Sequence, residues 1–169
     1  MRYSKVVKEI YLNTLEEGRP VTLPSSGWCM WPFIKGGDIL TLRSGCGRIE
    51  IGDIAIADTC SPDEVRFAGH RVIGIETVGD KKIYFLKSDN SAGKSSESIP
   101  EDKIRGRIVS VTRNGLVFDY SMPHLKMVNR AIAFMSARAP LLCIFLKMPV
   151  YLIIKWRLMI KDMSKRPIP

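Results

Sequence analysis

Hydrophobic and polar positions along this chain follow two spacings. Between positions 21 and 118, apolar residues alternate with polar ones or come in short runs of β-formers, with turn residues recurring between them. Outside that stretch the spacing turns helical. Val6, Val7, Ile10 and Leu15 recur at helical intervals with Lys5, Lys8, Glu9, Glu16 and Glu17 between them, and Gly18 and Pro20 close the segment. The pattern predicts an N-terminal amphipathic helix leading into a mainly β, antiparallel body. Residues 21–23 read as its first strand. Two similar phrases follow, IKGGDILTL at 34–42 and IEIGDIAIA at 49–57, each a Gly-Asp turn running into a strand. Glycine supplies the unusual backbone angle and aspartate bonds the backbone around it, so Asp38 and Asp53 read as turn residues.

Further along, 61–69 is expected to be a polar connection. A strand then runs through Val72, Ile73 and Ile75, turns at Asp80-Lys81-Lys82, and returns over 83–86. The stretch 87–98, KSDNSAGKSSES, reads as a loop, 107–112 as a strand, and Asn114-Gly115 as a hairpin turn into 116–118. From His124 the chain becomes basic and apolar. Its densest part, 139–160, is interrupted by Lys147, Lys155 and Arg157 and bent by Pro140 and Pro149, so its uncharged runs fall short of the ~20 residues a spanning helix needs. Two domains are expected on this basis, a body over 1–123 and a tail over 124–169.

Charge sharpens that division. The formal net charge is +9, yet residues up to Pro123 carry 17 Lys+Arg against 16 Asp+Glu, and the remainder carries 9 against the single Asp162. The basic character belongs to the tail. Cations interleaved with Trp156, Leu and Ile suit a segment lying in the headgroup region of an anionic bilayer; the alternative is a terminal helix that caps the core or a partner protein. No stacking platform or recognition motif accompanies the cations, so nucleic acid is not an expected partner. The first eighteen residues hold acids and lack a long apolar run, which fits neither a signal peptide nor a spanning anchor. The four cysteines, Cys29, Cys46, Cys60 and Cys143, form no CxxC pair, and with only His70 and His124 beside them no zinc site and no other cofactor is expected. No disulfide framework is suggested, which points to a reducing compartment.

One stretch carries candidate chemistry. PSSGWCMWPFIKGGD, at 24–38, places Cys29 and Met30 on a corner between a turn at Gly27 and a second turn at Gly36-Gly37-Asp38, and Pro32 prevents a regular helix from running on. A thiol on a constrained corner is how a nucleophile is presented; the alternative is a small buried cysteine. A nucleophilic thiol needs a base, and His70 is the body's one histidine. Asp89, in the polar loop, is the natural third group to orient an imidazole.

These phrases, taken in order over about 15–118, resemble the S24/S26 peptidase superfamily, the signal peptidase and LexA-like fold. EEGRPVTLPSSGWCMWPFIKGGDIL resembles its nucleophile box, IEIGDIAIA its second glycine-aspartate strand, and GHRVIGI the box of the general base. YFLKSDN and IRGRIVSV resemble its two closing boxes. The resemblance implies a largely antiparallel β-fold that cleaves a peptide or preprotein bound as an added strand. It puts Cys29 on the serine nucleophile, His70 on the base, and Asp89 on the aspartate of the third box. It also implies an oxyanion hole made of backbone N–H groups, chiefly that of Cys29, because Gly27 stands where some signal peptidases have a stabilising serine. Ser88 stands where the usual residue is glycine. A Cys–His pair is expected to form a thiolate readily. The other implied function is a catalytically inactive peptide-binding or membrane-adaptor module on the same fold. A self-cleaving repressor does not fit, since too few residues precede the corner to make a helix-turn-helix domain. The expected location is membrane-associated, on the cytoplasmic face.

Overall fold

A computed structural model of the chain describes residues 5–44, 49–61, 64–91, 93 and 96–163; Cys46 therefore lies outside the described residues, as do Lys94 and Ser95. The N-terminal helix, α1, spans Lys5–Glu16 and stops at Gly18, which takes the left-handed backbone (φ 76°) that lets a glycine end a helix. Leu15 carries its apolar face into the core.

Eight strands follow: β1 (Val21–Pro24), β2 (Ile39–Arg43), β3 (Ile54–Ser61), β4 (Glu64–Val78), β5 (Lys81–Lys87), β6 (Glu97–Pro100), β7 (Ile104–Arg113) and β8 (Leu116–Asp119). They form one curled antiparallel sheet in the order β1-β2-β7-β3-β4-β5-β6, with β8 also paired to β7. The mainly β fold read from the sequence is thus present. Asn114 and Gly115 both take positive φ (49° and 73°), as the tight β7–β8 hairpin requires.

β3 explains how the sheet makes two cores. Side chains on a strand alternate between faces. Ile54 and Ile56 enter one cluster with Leu23, Met30, Leu42 and Ile108, while Ala55 and Ala57 enter a second with Val72, Tyr84, Leu86 and Ile104. A strand buried on both faces has no polar side to show, which is why IAIA carries no polar residue.

One expected loop is strand and another is cut short. Residues 61 and 64–69 are strand rather than connection: β3 runs on to Ser61, and β4 starts at Glu64 and pairs back along β3 from Ser61↔Glu64 to Ile54↔Arg71. Glu64 and Arg66 give the segment a polar look, but they alternate with Val65 and Phe67 as a strand requires. The loop expected over 87–98 likewise ends early, because Glu97 opens the edge strand β6 against Leu86.

The boundary expected at 123 divides composition rather than packing. Helix α2, Pro123–Arg138, buries Asn129, Ile132, Ala133 and Ser136 against the body. Two buried cations of the sheet reach into it: Arg71 Nη1 donates to Asn129 Oδ1 (2.9 Å) and Lys87 Nζ to the Ser136 carbonyl (2.8 Å). Helix α3, Pro140–Met163, contains Pro149 and returns along the body, burying Ile154 and setting Tyr151 against Trp31 with ring centroids 5.3 Å apart. Its outward face leaves Phe145, Met148, Leu152, Trp156, Met159 and Ile160 exposed. No helix among the described residues is long and apolar enough to cross a membrane.

The two Gly-Asp phrases prove equivalent in space. Gly37 and Gly52 take positive φ (87° and 101°), Asp38 Oδ2 accepts from Lys35 N (2.8 Å), and Asp53 Oδ2 accepts from Glu50 N (3.0 Å). These are the expected turns. Each aspartate has a second task, because β2 and β3 flank β7 and β7 sends an arginine to each turn. Arg113 grips Asp38 through two bonds (2.8 and 2.7 Å), and Arg107 reaches Asp53 (3.0 Å).

Candidate active site

The chain between β1 and β2 is a lasso drawn closed at its neck. Ser25 N donates to the Asp38 carbonyl (2.7 Å) and Gly37 N to the Ser25 carbonyl (2.9 Å). Inside it, Arg113 also donates to the carbonyls of Pro32 (3.1 Å) and Phe33 (3.2 Å), and the Tyr120 hydroxyl donates to Phe33 (3.2 Å). A buried guanidinium with four acceptors leaves this loop little freedom. Met30, Phe33 and Ile34 are buried beneath it, so Cys29 is left exposed on the corner, as the sequence suggested.

A second loop holds that corner from behind. The Cys29 carbonyl accepts the Ser88 hydroxyl (2.6 Å) and the Asn90 N–H (2.8 Å). The peptide plane joining Cys29 to Met30 is thereby fixed, with the N–H groups of both residues near enough to the sulfur to favour its ionised form. In front, Sγ lies 4.0 Å from the Gly69 carbonyl on β4. Gly69 is tight as well as close, since a Cβ there would sit 3.0 Å from Ile56 Cδ1.

β4 passes from one partner to the next at this point. Up to Arg71 it pairs with β3, and from Arg71 onward with β5. Neighbours on a strand face opposite ways, so His70 and Arg71 part company. His70 joins Cys29 in lining a cavity of about 170 Å³, with Leu23, Ser26, Gly27 and Ile56 among its walls. Arg71 turns inward, is 0% exposed, and lies 5.0 Å over the Phe33 ring.

Asp89 is placed differently from expectation. Both of its oxygens are taken by Arg71, Oδ1 from Nε (2.8 Å) and Oδ2 from Nη2 (2.7 Å), in a fully buried fork. Arg71 also donates to the Gly52 carbonyl (2.9 Å). One arginine thus joins β4, the loop behind the nucleophile, the second Gly-Asp turn and α2. The carboxylate beside His70 is that of Glu97, with Oε2 3.8 Å from Nδ1; the imidazole is 16% exposed and Glu97 55%. The sequence reading passed over Glu97 because it lay in a presumed loop. The available signal was its register: as the first residue of a strand returning along β5, it comes back to the level of His70.

The thiol does not favour its ionised form. Burial pushes the Cys29 thiol above its ordinary range; the Cys29 N–H opposes that, the Asp89 carboxylate adds to it, and the Met30 N–H opposes it. That direction favours the neutral thiol over the ready thiolate expected of a Cys–His pair. No group of His, Cys, Asp and Glu among the described residues could hold a metal ion.

The cavity also has unusual flanks. Among the described residues, β1 pairs only with β2, and the Glu64–His70 half of β4 pairs only with β3. Both leave a strand edge, and Ser25 to Gly27, which follow β1, and Gly69 with His70, within β4, wall the cavity. No family model, curated protein or solved structure matches this chain.

Proposed function

We propose that this protein is an endopeptidase of the S24/S26 type, with Cys29 as nucleophile and His70 as base. The observation that carries the reading is a single cavity lined by both groups between two strand edges that have no strand partner there among the described residues. An extended peptide laid in that slot pairs its main chain with the edges, as in strand addition. The scissile carbonyl then lies over Sγ.

Because burial favours the neutral thiol, proton transfer accompanies attack. His70 takes the S–H proton as the sulfur forms its bond to the carbonyl carbon. The developing oxyanion is met by the N–H groups around the sulfur, whose peptide plane Ser88 and Asn90 hold. His70 then gives its proton to the departing amine as the C–N bond breaks. Water attacks the thioester with His70 again as base, and the thiol is restored. Glu97, whose Oε2 lies 3.8 Å from Nδ1, orients the imidazole. Asp89 holds Arg71 and, through the loop 88–90, the nucleophile's carbonyl; it is a positioning residue.

The outward face of α3, with Trp156 among its apolar residues and Lys155 and Arg157 at its flanks, is read as resting on an anionic membrane surface, with the body on the cytoplasmic side. The neutral thiol supports a second reading, a peptide-binding module on the same fold without turnover. Incubation with a proteome-derived peptide library and anionic vesicles, read by mass spectrometry, separates them. Cleavage that Cys29→Ala abolishes and Cys29→Ser partly keeps is the expected result. Unchanged cleavage by Cys29→Ala rejects the mechanism, and peptide capture without cleavage establishes the binding module.

A further inference from the structure

His70 walls two cavities. The first holds Cys29; the second, about 150 Å³, is lined by Leu86, Ser88, Ser91, Ser96 and Glu97 beside the imidazole. Lys87 also borders it, but its ammonium is directed to the Ser136 carbonyl of α2 (2.8 Å), and the side chain is 2% exposed. Among these lining residues, the charge presented to the opening is therefore the half-exposed carboxylate of Glu97, set among three serine hydroxyls. Leu86 is the one aliphatic wall among these lining residues, against the several Leu and Ile walls of the first cavity.

Resting on the peptidase reading, we infer that the second cavity receives the side chain immediately after the cleaved bond, and that it selects a cationic one, lysine or arginine. The chemistry orders the two cavities. The acyl part of the substrate stays on the sulfur, in the cavity that contains it. The departing amine must take its proton from His70, so the chain beyond the cleaved bond leaves past the imidazole. Among the described residues, the one lining residue the cavities share is the one that handles that proton. An ammonium or guanidinium there meets a carboxylate and hydroxyl oxygens, whereas an aspartate side chain would set two carboxylates against each other.

The test uses a proteome-derived peptide library cut after glutamate alone, so that lysine, arginine and aspartate all remain internal, with cleavage sites read by mass spectrometry. Wild-type protein is expected to enrich lysine and arginine at the first position after the cut about fivefold over neutral residues, the upper range for a solvent-screened pair. Glu97→Gln lowers turnover at all sites because it also orients His70, so its readout is the ratio among sites, which falls to near unity. Ser96→Leu narrows the cavity without changing a catalytic group, so its readout is likewise the ratio of cationic to neutral sites, which falls to near unity. Glu97→Lys inverts the preference toward aspartate. Cleavage with no cationic enrichment, or an enrichment that persists in both Glu97→Gln and Ser96→Leu, overturns the subsite and leaves the peptidase standing. Absence of any Cys29-dependent cleavage overturns both.

Discussion

Replacing Asp89 by asparagine separates its two possible roles, because a buried ion pair and an imidazole-orienting group fail in different ways. In the fold, Asp89 neutralises Arg71, whose side chain is 0% exposed. Asparagine keeps the shape and one acceptor oxygen but leaves the guanidinium charge without its counter-ion. Breaking a buried pair from one side costs about 3–5 kcal/mol, a large share of the 5–15 kcal/mol that holds a typical domain together. At roughly 2–4 °C per kcal/mol for a chain of this size, the midpoint of thermal unfolding falls by about 6–20 °C. Circular dichroism melting measures this without any substrate. Removing both charges, as in Arg71→Met with Asp89→Leu, leaves no stranded ion and is expected to regain much of the loss. Alkylation of Cys29 in the single variant reports the local consequence: the loop 88–90 loosens and the sulfur becomes more accessible. An Asp89→Asn protein that melts within about 1 °C of wild type but has lost turnover would refute this account. It would return Asp89 to the orienting role that the sequence suggested.

Three further outcomes follow from the same geometry. The rate of Cys29 alkylation by iodoacetamide is expected to keep climbing with pH beyond the range where an ordinary thiol levels off, because burial raises the thiol's pKa and the thiolate is the reacting form; a plateau already reached near neutrality refutes the neutral thiol. Ser88→Ala removes the 2.6 Å bond to the Cys29 carbonyl but leaves that of Asn90, so kcat should fall about fivefold, the worth of about 1 kcal/mol, with KM unchanged; a rise in KM alone would show that Ser88 touches substrate instead. Trp156→Glu forfeits roughly 2–3 kcal/mol of apolar contact with a bilayer, which should weaken binding to anionic vesicles about thirtyfold or more while the melting temperature holds; equal vesicle binding removes α3 from the membrane contact.

The strands and turns were legible because their causes are local. Gly37-Asp38, Gly52-Asp53 and Asn114-Gly115 dictate backbone angles by themselves, and alternation between turns leaves few choices. The corner at Cys29 was legible for the same reason. What escaped was pairing between charges distant in the chain. Arg71, Lys87, Arg107 and Arg113 look in the sequence like solvent-facing positions of strands, yet each is directed to a particular oxygen on another element. Asp89 was assigned to the imidazole because a lone aspartate in a polar loop advertises chemistry; its actual partner is the residue next to that histidine. The strand's two-residue period hides this, since it sends His70 to the cavity and Arg71 to the interior.

The buried arginines also explain why the candidate site tolerates an exposed corner at all. A loop that carries a nucleophile must be open to substrate on one side, so it cannot be held by apolar packing all round. Here its far side is held by directional bonds instead: Arg113 to Asp38, Pro32 and Phe33 within the loop, and Ser88 and Asn90 on the Cys29 carbonyl behind it. Arg113 stands at the end of β7, the strand that β2 and β3 flank, and Arg107 on the same strand secures the second Gly-Asp turn, whose Gly52 carbonyl in turn holds Arg71. Position thus passes from one central strand to both turns, and from the turns to Cys29 and to the strand bearing His70. A change anywhere along that route, even one far from the sulfur, should move the two reacting groups relative to each other before it unfolds the sheet.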